Sequence, residues 1–216
     1  MPPTSKSSSN PPAKRGGGKG ERTRARILGS ATEVFAESGY SAARVADIAQ
    51  AAEVAHGTFY TYFDSKRDVF KALADDVVDE IFAALKGGPN LGSTPLERIH
   101  NANARYIDLY GSHAVILALI EQVATSDAEF LGTRLDLRRR FIARVERAVK
   151  RMIETGQATG IDGLDPHIVA NALGGMIDNF CYAWFVLKEP FEKEAALHTL
   201  DTIWANALGL QRPAKG

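Results

Sequence analysis

From Glu21 onward the apolar positions recur with helical spacing. Ile27, Leu28, Ala31, Val34 and Phe35 fall at i, i+1, i+4, i+7 and i+8, one face of a helix that Ser38-Gly39 should end. Val45, Ile48, Ala49 and Ala52 give the inward face of a short second helix, and another short one is expected over residues 56–62. Ser65, with Asp68 three residues on, makes a capping-box pattern at the head of a longer helix. Val69, Phe70, Leu73, Val77, Ile81 and Leu85 are its stripe, and Gly87-Gly88-Pro89-Asn90 breaks it.

The second half uses longer helices. Thr94-Pro95-Leu96-Glu97 combines a cap, a proline at the first helical position and a capping-box glutamate. Ser126 and Glu129 repeat that signature before a helix reaching about residue 154, with Gly156 and Gly160 beyond it. Asp165-Pro166 opens a helix to about residue 187, Glu189-Pro190 closes it, and a last helix covers roughly residues 191–208. No stretch alternates as a strand would. The expectation is an all-α fold of about nine helices: an N-terminal three-helix helix-turn-helix unit and a larger C-terminal helical part.

With 216 residues, 45% apolar and 24% charged, the chain has ordinary globular composition. A single cysteine, Cys181, excludes an internal disulfide and suits a reducing, cytoplasmic setting. No apolar run is long enough for a membrane span, so no membrane partner is expected. The formal net charge of zero hides a division. Through Ala74 there are 11 Lys/Arg against 7 Asp/Glu, a net of +4, which leaves −4 for the remainder. Such asymmetry suggests that the N-terminal part meets a polyanion. Residues 1–20 carry Lys6, Lys14, Arg15 and Lys19 among Pro, Ser and Gly, which predicts a disordered basic tail. It serves either as a solubilising tail or as an arm on phosphates. The three parts expected are therefore this tail, a DNA-binding unit over 21–74, and a ligand-binding and dimerisation unit over 75–216.

The short pair of helices between Val45 and Phe63 carries the functional argument. Two helices joined by a tight turn and braced by a third form a helix-turn-helix. With Val54 in the turn and Phe59 and Phe63 inward, His56, Gly57, Thr58, Tyr60, Thr61 and Tyr62 are left to face outward. Hydroxyls bond phosphate oxygens, and the start of a recognition helix meets base edges. Lys66, at the head of the next helix, is placed to add a charged phosphate contact.

The residues Gly39-Tyr40, Val45-Ala46-Asp47-Ile48-Ala49, Val54 through Phe63 and Ser65-Lys66 together resemble the DNA-binding domain of the TetR family of bacterial regulators. The resemblance spans about residues 22–74. It implies a homodimeric, ligand-responsive α-fold that binds double-stranded DNA. It places Thr58, Tyr60, Thr61, Tyr62 and Lys66 at positions that commonly contact DNA. Arg44 falls where the family usually has Ser or Thr near a phosphate. The chain departs from the pattern at Glu53, where a turn glycine is usual, at Ala55, in place of a serine cap, and at Ala43, in place of a threonine. A glutamate at positive φ costs about 1 kcal/mol, and a missing cap about as much again. The expectation is a recognition helix that DNA helps to order.

The segment from Pro166 to Leu187 is apolar on nearly all sides and must be covered on nearly all sides. Ala170, Ala172, Gly174 and Gly175 permit close approach. With Leu197, Leu200, Ile203, Trp204 and Leu208 it forms either an isologous homodimer interface of the last two helices or a central core helix. The resemblance favours the interface. Tyr106, Tyr110, Leu117, Phe130, Phe141, Met176, Phe180 and Trp184 either fill the core or line a cavity with Asn103, Asn179 and Asp178 as polar handles. Such a lining suits a small apolar or amphipathic effector.

The five histidines have no metal-ligand spacing, and no nucleophile elbow or dinucleotide signature occurs. Neither an enzyme nor a cofactor or metal is therefore expected. Arg138-Arg139-Arg140, beside Asp136 and Glu146, is expected as a solvated face. The function expected is a sequence-specific transcriptional regulator, a repressor released from a palindromic operator by its effector. The alternative is an architectural protein that coats DNA without sequence preference.

Overall fold

The computed structural model describes residues 17–86 and 92–210. The basic residues of the tail before Gly17 and the Gly87–Asn90 breaker lie outside the described residues. Eight helices, rather than about nine, make up the described residues: α1 (Gly17–Ala42), α2 (Val45–Ala51), α3 (His56–Phe59), α4 (Lys66–Lys86), α5 (Pro95–Val123), α6 (Ala128–Glu154), α7 (Pro166–Phe185) and α8 (Lys193–Leu208).

α1 begins at Gly17, inside the stretch expected to be disordered through residue 20. Its first turn is tied down by side chains further along, with Arg22 Nε donating to Gly18 O and Thr23 Oγ1 to Lys19 O. The expected stop holds: Gly39 takes φ 73°, ψ 164°, which breaks the regular helix before its last short turn. Ile27, Ala31 and Phe35 of α1 pack against Ile48, Phe59 and Phe70, all but removed from solvent. This small core fixes the relative positions of α2 and α3.

The cap chemistry explains most helix starts. Thr94 and Glu97 form a complete capping box, and Asp165 accepts the His167 N–H ahead of Pro166. Asp68 N–H donates to Ser65 Oγ, which donates to Asp68 Oδ2. At α6 the expected cap was one residue off. Asp127, not Ser126, accepts the Glu129 and Phe130 N–H groups, since a carboxylate one residue later reaches both orphan donors. α7 ends at Phe185 and α8 starts at Lys193, each about two residues inside the span expected.

α5, α6, α7 and α8 pack together into the body, and α4 joins it to the N-terminal helices. Gly174 sits where an added Cβ would lie 2.8 Å from Ile142 Cδ1 and 3.2 Å from Phe141 Cε1. Gly174 therefore serves the α6–α7 contact within one chain, and Ala170 is fully buried in the chain's own core, so neither is free for a partner's approach. Leu197, Leu200, Trp204 and Leu208 are likewise buried within the chain. Ile203 is the residue of that group left on the outside, 43% exposed.

Candidate nucleic-acid interface and effector cavities

α2 and α3 are held by backbone and core contacts that leave one edge free. The Val54 N–H donates to Ala49 O and the Glu53 N–H to Gln50 O, closing the turn, while Arg26 of α1 reaches the Glu53 carbonyl. Glu53 has φ 49°, the left-handed region that the usual glycine would suit. α3 is a single turn, shorter than the residues 56–62 expected, and its N-cap Ala55 offers no side-chain acceptor. Two of the three departures, at Glu53 and Ala55, thus have a structural counterpart.

Arg44, His56, Gly57, Tyr60 and Thr61 are exposed along the free edge, and Thr58 is half-buried. Arg44 is the N-cap of α2, and its side chain, which carries only donors and cannot cap the helix, is exposed. The Tyr60 ring stands edge-on to His56 and Phe59. Tyr62 differs from expectation. It is half-buried against the core, with its hydroxyl close to Gly20 of α1. Arg24, 5.3 Å above the Phe63 ring, adds an exposed charge on α1 that the sequence argument did not single out.

Lys66 also departs from its expected role. Its Nζ donates to the carbonyls of Tyr40 at 2.6 Å, Ser41 at 3.2 Å and Ala43 at 2.8 Å, and lies 4.7 Å from the centre of the Tyr40 ring. An ammonium has three protons, and here each has an acceptor. Burial holds its pKa below the ordinary lysine value. The group closes the end of α1 and the approach to α2 instead of standing free for a phosphate.

The next residue faces the other way. Arg67 makes a forked contact with Asp127 (Nε–Oδ2 3.0 Å, Nη2–Oδ1 3.1 Å) and reaches Glu129 Oε2 at 2.6 Å. The guanidinium holds both carboxyls below the usual carboxylate range. Phe130 stacks near Phe70, with centroids 4.6 Å apart, and lies under the Arg67 guanidinium. Phe130 is thus a fully buried joint between α4 and α6: of the two expected alternatives it fills the core and lines neither cavity.

Two cavities stand out in the body among the described residues. One, of about 370 Å³, is walled by the C-terminal part of α4 (Ile81, Phe82) and by α5, α6 and α7. It brings together Tyr106, Tyr110, Leu117, Phe141 and Asn179 from the expected set, with Asp178. Tyr106 donates to Asp178 Oδ1 at 2.6 Å, and burial raises the pKa of that carboxyl. A second cavity, of about 710 Å³, lies among α5, α6 and α8 and takes in Asn103, Tyr106 and Phe141. Asn103 is bonded to Asp201, so its amide is already partly satisfied. Met176, Phe180 and Trp184 line neither cavity. Phe180 and Trp184 instead cluster with Phe191 beside the outer surface. Cys181 is a buried thiol whose pKa burial pushes up, as suits a packing role. Among the described residues no cluster of His, Cys, Asp or Glu has the makings of a metal site, and no helix is long and apolar enough to cross a membrane.

Residues 27–73 match the bacterial regulatory proteins of the tetR family. The HTH-type transcriptional repressor DhaR of Mycobacterium sp. (strain GP1) is 33% identical over 146 residues, covering 63% of this chain and 68% of the relative. The chain belongs to the TetR family. It is a DNA-binding transcriptional regulator. The fatty acid metabolism regulator protein of Bacillus subtilis (strain 168) is 23% identical over 77% of this chain and 85% of its own. Among solved structures, the FadR regulator from Bacillus subtilis in complex with stearoyl-CoA superposes with a TM-score of 0.66 at 20% identity, covering 85% of this chain and 98% of that one. A tetR-family regulator from Rhodococcus RHA1 gives a TM-score of 0.72 at 16% identity, over 88% and 99% of the two chains. These likenesses extend the TetR fold beyond the N-terminal helices to the whole body. Regulators of this family bind DNA and small-molecule effectors, typically as dimers.

Proposed function

We propose that this TetR-family protein is a homodimeric repressor, released from a palindromic operator by a small apolar or amphipathic effector held in the body. Residues 21–74 form the DNA-binding part and 75–216 the effector and dimerisation part, with α4 spanning the division. Arg44, His56, Gly57, Thr58, Tyr60 and Thr61 meet the DNA. Tyr62 and Lys66 hold the edge in place from behind. Met176, Phe180 and Trp184, of the residues first considered for the effector, belong with the dimer face instead. That face takes in α7, α8 and the segment between them, where Ile168, Leu187 and Ile203 are 66%, 59% and 43% exposed and Phe191 packs on Phe180 and Trp184. Apolar side chains this exposed call for a partner, and a second copy satisfies them isologously.

The observation that carries the reading is the pair Lys66–Arg67. One residue clamps the end of α1 and the other the start of α6. α4, whose far end walls the smaller cavity, therefore transmits displacement of α6 or of its own C-terminal end to α2 and α3. Two recognition helices must sit about 34–36 Å apart to enter successive major grooves. An effector that prefers another separation releases DNA. Shifting the population from 99:1 to 1:99 takes about 5.5 kcal/mol of differential binding. A relative of the same fold solved in complex with stearoyl-CoA, itself an amphiphile, supports this reading. Hydroxyl-radical footprinting on genomic fragments retained by the purified protein tests the dimer: two protected patches one helical turn apart are expected. A single continuous patch that grows with protein concentration would favour coating without sequence preference.

A further inference from the structure

The larger cavity has an unbalanced wall. Arg98 of α5 and Arg144, Arg147 and Arg151 of α6 line it, and no aspartate or glutamate does. The three α6 arginines fall at i, i+3 and i+7, one face of the helix. Of the earlier arginines on α6, Arg134 pairs with Glu121, Arg139 and Arg140 pair with Asp136, and Arg138 reaches the Asn171 amide oxygen. Among the described residues, the side chains of Arg144, Arg147 and Arg151 have no hydrogen-bond or ion-pair partner. Arg144 is half-buried, and burial together with the Arg105 and Arg147 charges depresses its pKa. Like charges gathered without a counter-charge destabilise the fold unless an anion joins them.

A second observation points to the same place. Trp204 lines this cavity, is 7% exposed, and its indole N–H has no acceptor. Buried donors in folded proteins nearly always have one. Apolar side chains complete the wall, Ile99, Val145, Met152 and Ile177 among them. The cavity therefore combines arginine and apolar side chains in one lining. Tyr106 and Phe141 line both cavities, with ring centroids 4.5 Å apart, so this stacked pair is the partition between them.

We infer that the effector is a linear amphiphile with an oxyanion head: Arg144, Arg147 and Arg151 hold the head in the larger cavity, and the alkyl tail passes the Tyr106–Phe141 partition into the smaller one. The inference rests on the effector reading above and gives it a chemical class and a polarity. Cavities of about 300–1,000 Å³ are the usual range for small ligands, and both volumes fall in it. Several guanidiniums without counter-charge favour a dianionic phosphate head over a monoanionic carboxylate.

The test is calorimetric titration of the full-length protein with dodecyl phosphate, dodecanoate and dodecan-1-ol, three probes sharing one tail. Dodecyl phosphate should bind at least tenfold more tightly than the alcohol, with dodecanoate between them. Arg144→Gln with Arg147→Gln should erase that preference while leaving the affinity for the alcohol unchanged. Arg147→Gln alone, at an exposed position that keeps the fold, should reduce it several-fold. Arg139→Gln, outside the cavity, should leave it intact. Equal affinity for all three probes, or a preference that survives the double substitution, would overturn the head assignment and leave the apolar effector reading standing. Failure of every probe to bind would sink both.

Discussion

Replacing Glu53 by glycine should stabilise the protein. The residue sits at φ 49° in the turn between α2 and α3, where an L side chain costs roughly 1–2 kcal/mol relative to an unstrained backbone. Its side chain is exposed and makes no hydrogen bond or ion pair among the described residues, so truncation loses no contact. The backbone bonds that define the turn, Glu53 N–H to Gln50 O and Arg26 to Glu53 O, do not involve the side chain. Against the relieved strain stands the extra entropy that glycine gives the unfolded chain, about 0.5–1 kcal/mol. The net gain is about 0.5–1 kcal/mol, or a rise in melting temperature of about 1–4 °C for a chain of this size. Melting curves of wild type and Glu53→Gly at one protomer concentration measure it, and amide exchange localises it to α3. If α3 gains order before meeting DNA, operator affinity should rise by a similar factor. An unchanged or lowered melting temperature, with α3 amides no better protected, would refute the argument from backbone strain.

Ala55→Ser supplies the side-chain acceptor that the N-cap of α3 lacks and should add about 1 kcal/mol, read as slower amide exchange in α3. Lys66→Met removes three charged contacts to backbone carbonyls, so it should lower thermal stability and weaken operator binding with the salt slope unchanged. A slope reduced by about one unit would instead restore Lys66 to a phosphate contact. The Arg67 network gives a pH test. The folded pKa values of Asp127 and Glu129 lie below their unfolded values, so the stabilisation is present above the ordinary carboxylate range and is lost as pH falls through the folded values. Wild-type protein should therefore lose more thermal stability than Arg67→Met between neutral pH and about pH 3, and parallel profiles would contradict the joint's assigned role.

Local rules read the boundaries well where the decisive chemistry is adjacent in sequence. The capping box of Thr94 and Glu97, the Asp165-Pro166 start and the break at Gly39 each depend on residues within four positions, and each stands in the structure. Periodicity likewise identified the buried stripe of α1 and α4. What it does not convey is which neighbour covers an apolar face. The sequence leaves Trp204 and Leu200 open to a partner or to the core, and both are buried within this chain; it leaves Phe130 open to core or cavity, and Phe130 fills the α4–α6 joint. Lys66 shows the same limit for charge, because its acceptors lie 23 to 26 residues away. The cavity arginines did leave a trace, the spacing of Arg144, Arg147 and Arg151. It was obscured by the denser run at residues 138–140, and only the lack of carboxylates across the fold gives it meaning.

The central claim is that this chain reads a particular DNA sequence as a symmetric dimer. Selection of random duplexes on the purified full-length protein, run at low and at near-physiological salt, addresses it directly. The account predicts one enriched palindrome with matching half-sites, retained at both salt concentrations. Binding that enriches no sequence and vanishes as salt rises would contradict it.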